Sequence, residues 1–134
     1  MSEGPNVFVA WTRVLAVDYQ QTQVGRQLEK CGDQVEQSTV IRYTFAGRST
    51  LTLVMRLGPL VKYLVWRASG DHAWPPGEDD LYSSMKFHCP GDRALSRAMV
   101  VIKGFRFLYF VCRGSRSLGE AVESPFLQGM AFEH

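Results

Sequence analysis

One stretch limits the folds open to this chain more than any other. Residues 93–116 read RALSRAMVVIKGFRFLYFVCRGSR, with six basic residues (Arg93, Arg97, Lys103, Arg106, Arg113, Arg116) and no acidic one. The apolar runs between the charges are rich in the β-branched and aromatic types that strands favour. The stretch is far too long for one ordinary strand, and Gly104 supplies a break. It therefore predicts a hairpin, with one strand to about Lys103, a turn at Gly104 and a return strand to about Cys112. On the first strand Arg97, Met99, Val101 and Lys103 share a face. Such a face is either the solvated side of an antiparallel sheet or a surface for a polyanion such as phosphate.

The rest of the chain is read around that hairpin. At 134 residues it is expected to form a single domain spanning 1–134, with 1–6 and 126–134 flexible. The net charge is only +2, but the charges are segregated: residues 48–77 hold four basic and one acidic, and residues 78–92 one basic and four acidic. Three widely spaced cysteines (Cys31, Cys89, Cys112) without a leader sequence suggest reduced thiols inside a cell. No apolar run approaches a membrane span.

In chain order, Val7, Phe8, Trp11, Val14 and Leu15 fall at helical spacing. Trp11 on that stripe is either a core residue or a ring exposed to stack on something flat. Residues 19–36 read as connections around a short helix containing Leu28 and Lys30. Gln37 to Phe45 predicts a strand with Ile41, Tyr43 and Phe45 on the core side. Leu51 to Leu57 fits helix or strand equally, and Pro59 to Trp66 reads as a further strand. Glu78, Asp79 and Asp80 predict the first turn of a helix that ends at Cys89–Pro90–Gly91. A last short helix is signalled by a capping box of Ser117 with Glu120, and is stopped by Pro125.

Taken together these elements predict an α/β (α+β) fold, a small antiparallel or mixed sheet with a basic C-terminal hairpin and flanking helices. Catalysis has no motif behind it: there is no Gly-rich phosphate loop, no nucleophile elbow and no paired-Cys zinc spacing. His88 and Cys89 with His72 or Cys112 make a weak metal set, and Cys89 with His72 a weak thiol–base pair. The acidic group Asp71, Glu78, Asp79 and Asp80 is either a cation site or a plain helix start. No enzyme activity, cofactor or metal is expected.

Several short pieces, in order, carry a resemblance. They are Trp11–Thr12, Lys30, Arg42–Tyr43, Arg48–Ser49, Arg56–Leu57–Gly58, Tyr82–Ser83–Ser84, Lys86–Phe87, Lys103–Gly104 and Gly114–Ser115–Arg116–Ser117–Leu118. In these the chain resembles the small RNA-silencing suppressors of plant-infecting tombusviruses, most of all a shorter aureusvirus-type member. The resemblance implies a homodimer whose strands join into one concave sheet that cradles double-stranded RNA without reading its sequence. It implies a viral suppressor that sequesters small interfering and longer duplexes in the host cell cytoplasm, with no membrane and no small-molecule substrate. Its RNA-binding residues would be Trp11, Lys30, Arg42, Arg48, Arg97, Lys103, Arg106 and Arg113. Three departures stand out: Val14 replaces the family's second end-capping tryptophan, Met99 and Val101 occupy RNA-facing strand positions, and residues 59–76 are additional. Loss of one ring implies weak discrimination of duplex length. The competing readings are a basic-faced module docking an acidic protein and, less favoured, an enzyme using the Cys/His pair.

Overall fold

The computed structural model describes residues 4–89 and 94–132, with side chains from 7 to 89 and from 97 to 131. Among them the chain is all helical. In order come α1 (Gly4–Leu15), a 3₁₀ turn (Tyr19–Gln21), α2 (Gln23–Glu29), α3 (Gln34–Thr44) and α4 (Thr50–Arg67). After these come α5 (Glu78–His88), α6 (Ala94–Val111), α7 (Arg116–Val122) and α8 (Pro125–Phe132). The described residues contain no strand; the single bridge joins Thr22 to Gly114. The expected α/β fold and its sheet are thus overturned.

Each misread strand has a local cause. Asp33 caps α3 by accepting from the Glu36 amide at 2.9 Å, while the Glu36 carboxylate accepts from the Gly32 amide at 3.2 Å. That reciprocal cap commits residues 34–44 to a helix, with Ile41 and Phe45 buried four residues apart. Ser49 caps α4 through the Thr52 amide at 3.1 Å, so the ambiguous run from Leu51 and the expected strand from Pro59 are one helix. Leu53, Leu57, Leu60 and Tyr63 form its buried stripe. Pro59 lies inside that helix and lacks the N–H that would pair with the Met55 carbonyl.

The basic stretch is not a hairpin but α6. Ala98, Ile102, Phe105, Leu108 and Cys112 recur at helical spacing and are all buried. Apolar residues surround this helix because it packs against α4, α5, α7 and α8 at once. Gly104, expected at a turn, lies at the crossing with α4: a Cβ there would sit 2.9 Å from the Arg56 carbonyl oxygen and 3.1 Å from Pro59 Cγ. The glycine permits close approach of two backbones, not a reversal of direction.

The end of α6 is tied to the start of α2. Arg113 takes the left-handed conformation (φ 58°), and the Gly114 amide returns to the Tyr109 carbonyl at 3.0 Å. The carbonyls of Cys112 and Arg113 then accept from the Val24 and Gln23 amides at 3.3 and 2.9 Å. Two helix ends satisfy each other's unpaired backbone groups.

Other local expectations divide. The helices expected near residue 7 and from Glu78 are α1 and α5. The stop at Cys89–Pro90–Gly91 is seen only through Cys89, Pro90 and Gly91 lying outside the described residues. The capping box of Ser117 with Glu120 does not form, since α7 begins at Arg116 after Ser115. Pro125 starts α8, Ser124 caps the Leu127 amide at 3.3 Å, and Leu127 and Ala131 are buried.

Two outcomes check this packing. Gly104→Ala lowers unfolding stability by about 1–3 kcal/mol despite its better helix propensity, because the new methyl meets backbone; denaturant titration reads it. Burial pushes the Cys112 thiol up from 9.0 to about 12, against a lowering by Arg48. A raised thiol pKa favours the folded state below pH 9, and that contribution is lost as pH climbs from 9 towards 12. Cys112→Ala therefore shows a shallower alkaline loss of stability than the parent chain, measured by melting across that range.

Candidate anion-binding face of helices α4 and α6

The two longest helices, of eighteen residues each, lie antiparallel, with the start of α4 beside the end of α6. Arg56, Lys62 and Arg67 sit on α4 and Arg97, Lys103 and Arg106 on α6, with no Asp or Glu on either. None of the six makes an ion pair among the described residues, where the two pairs found are His72–Asp80 and Arg116–Glu120.

Three of these cations gather at one cleft. Arg56, Lys103 and Arg106 line it together with Phe107, Phe110 and Val111. The Arg106 guanidinium lies 5.8 Å from the Phe110 ring centre, and Arg48 lies 5.6 Å from that of Phe107. Phe110 is 56% exposed. Guanidinium groups held over rings, with no carboxylate paired to them among the described residues, keep N–H donors available for a bidentate anion such as phosphate.

The expected RNA-binding residues are thus only partly brought together. Lys103 and Arg106 meet here, and Arg48 lies over Phe107, which lines the same cleft. Arg97 is exposed farther along α6 and lines a second cleft with Lys62 and His88. Lys30 and Arg42 are exposed on α2 and α3, which pack on each other and, through α3, on α1; neither residue lines these clefts. Arg113 is a joint: its Nη1 donates to Gln23 Oε1 at 3.1 Å beside the backbone bonds at the α6–α2 junction.

Trp11 leaves the set entirely. Its ring is fully buried, 5.0 Å from Phe45 and 5.4 Å from Phe107, and Nε1 donates to the Leu53 carbonyl at 3.1 Å. It is a core residue and cannot stack on a base pair. Val14, on the same helix, is buried too. Met99 and Val101 are half-buried on α6 rather than aligned on a strand, and the additional segment 59–76 is the second half of α4 with the strap behind it. Arg56 and the rings of Phe107 and Phe110 were not among the expected site residues. Their signal was the acid-free run of α4 read beside that of α6, but it needs the helix pairing to be seen.

The Cys/His groups take structural roles. His72 stacks on Trp66 at 4.0 Å and pairs with Asp80 at 3.1 Å, and the second oxygen of Asp80 accepts from the Ala73 amide. Tyr63 Oη donates to the Ala73 carbonyl at 2.6 Å, closing the strap between α4 and α5, and burial pushes its phenol up. His88 Nδ1 lies 3.0 Å from the Ser84 carbonyl. Burial raises the Cys89 thiol, against the lowering effect of Arg97 and Lys62. No cluster of three or more His, Cys, Asp or Glu side chains suited to a metal occurs among the described residues. None of the described helices is long and apolar enough to cross a membrane.

Compared with known protein families, curated proteins and solved structures, the chain matches none.

The placement of Trp11 has a measurable consequence. Trp11→Ala costs about 3–5 kcal/mol of folding stability, the penalty of emptying a core site. Thermal or denaturant unfolding checks it, and a loss below about 1 kcal/mol would mean that the ring is not buried.

Proposed function

We propose that the chain binds the phosphate backbone of double-stranded RNA through Arg56, Lys103 and Arg106 at the α4–α6 cleft, with Arg48 beside it, and acts by occupying the duplex rather than by catalysing a reaction. The observation that carries this reading is the grouping of Arg56, Lys103 and Arg106 at one cleft with Phe107 and Phe110, with Arg48 over Phe107 and no ion-pair partner for these cations among the described residues. Arg48 and Lys103 also belong to the pieces in which the sequence resembles the silencing suppressors, which is what favours RNA among polyanions. Suppression of silencing in a host cytoplasm would follow from sequestration by mass action.

The mode of binding differs from the one the resemblance implied. A concave sheet continued across a dimer has no counterpart, because the described residues hold no strand. The homodimer was implied as strands joined across a two-fold, so that basis falls with the sheet. With Trp11 in the core, the ring expected to cap a duplex end is taken up by packing, and contacts are made along the backbone at any register. Short and long duplexes then bind with similar affinity per site.

A filter-binding series of short and long RNA duplexes across salt tests this. The double variant Lys103→Ala, Arg106→Ala lowers the salt slope by about two units, roughly one per lost phosphate contact, without altering sequence preference. An unchanged slope would remove these residues from any RNA interface, and no duplex binding at low salt would end the proposal.

A further inference from the structure

Helix α4 has two apolar sides, and only one of them faces the core. The outer side carries Leu51, Val54, Met55, Val61 and Val65, at helical spacing, from 41% to 71% exposed. At 1.5 Å per residue this stripe runs about 21 Å along the helix. Across from it stand Val100 of α6, 46% exposed, and Phe87 of α5, 66% exposed. Between them lie two clefts of about 500 and 420 Å³ that share Lys62 and His88. Together they form one groove, floored by Gly58 and Pro59 at the α4–α6 crossing.

Exposed apolar surface of this extent, continuous and grooved, marks a contact site rather than scattered surface residues. Its charge selects the contact. Lys62 stands within the stripe, Arg97 lies at the edge, and among the described residues no Asp or Glu lines either cleft. We infer that the groove receives an amphipathic helix of a partner protein, with carboxylates flanking its apolar stripe. A third helix laid between two antiparallel ones repeats the packing that already builds this protein, with side chains entering at i, i+3, i+4 and i+7. Flanking carboxylates meet Lys62 and Arg97. A second copy of the chain fits poorly, since a two-fold contact through α4 sets Lys62 near its own duplicate. This site uses Lys62 and the outer face of α4, whereas the RNA reading uses Arg56, Lys103 and Arg106.

The test uses synthetic helical peptides of about five turns with one leucine stripe, flanked by Glu in one and by Lys in the other. Fluorescence anisotropy on the intact protein is expected to show the Glu-flanked peptide binding about tenfold more tightly at low salt. Lys62→Glu should erase or reverse that preference. Val61→Glu, on an exposed position, should weaken binding at least about tenfold while leaving the helical circular dichroism and its melting intact. Lys103→Ala should leave peptide binding unchanged. Equal binding of both peptides, or of neither, overturns the inference. So does sedimentation as a dimer that Val61→Glu breaks, because the face would then be covered by a second copy. Uptake onto anionic vesicles that Val61→Glu abolishes, without peptide binding, likewise overturns it in favour of a lipid surface.

Discussion

The approach of α4 and α6 at Gly104 and Pro59 is the contact on which the rest of the structure depends. A side chain at Gly104 would hold the two backbones apart, and the longest helices of the chain could not share a core. Once they touch, the other elements have surfaces to cover. Helix α1 fixes itself to α4 by the Trp11–Leu53 hydrogen bond and by packing against Phe45 and Phe107. Helices α7 and α8 cover α6, and the start of α2 completes its final carbonyls. The α4–α6 approach also creates the groove, since two rods that meet at a point leave clefts beside it.

Only part of the helical content was legible, where a clear apolar stripe or an acidic first turn marked it. The stripe of α1 and the acidic first turn of α5 follow from local spacing, which put Trp11 on the stripe but left open whether its ring was core or exposed. The strands were misread for one physical reason. Alternating β-branched and aromatic residues look the same in a half-buried strand and in a helix buried on most sides, as α6 is. Gly104 then looked like a turn, because a tertiary need for close approach leaves the same residue as a local need for chain reversal. The Asp33–Glu36 cap was readable and would have corrected α3. The crossing was not, because it depends on residues 45 positions apart.

The candidate site was legible in its chemistry and not in its membership. Segregated positive charge was plain from composition along the chain, and Lys103 and Arg106 came from it, while Arg48 came from the resemblance. Arg56 joins them only because α4 runs back along α6. Arg113 shows the opposite error: a cation in a basic run that spends its side chain and its backbone conformation on ending a helix. Burial and local geometry sort surface charges from joints, and neither can be read from charge alone.

The acid-free helix pair also bears on how the protein responds to its own solution. Three like charges, Arg56, Lys103 and Arg106, converge on one cleft, and folding brings together a repulsion that dilute salt leaves unscreened. Added ions relieve that strain and favour the folded chain, while the same ions compete for any polyanion held by those cations. Ionic strength therefore pulls stability and occupancy in opposite directions. A bound polyanion does for the fold what salt does, neutralising the pair at the place where it is most crowded.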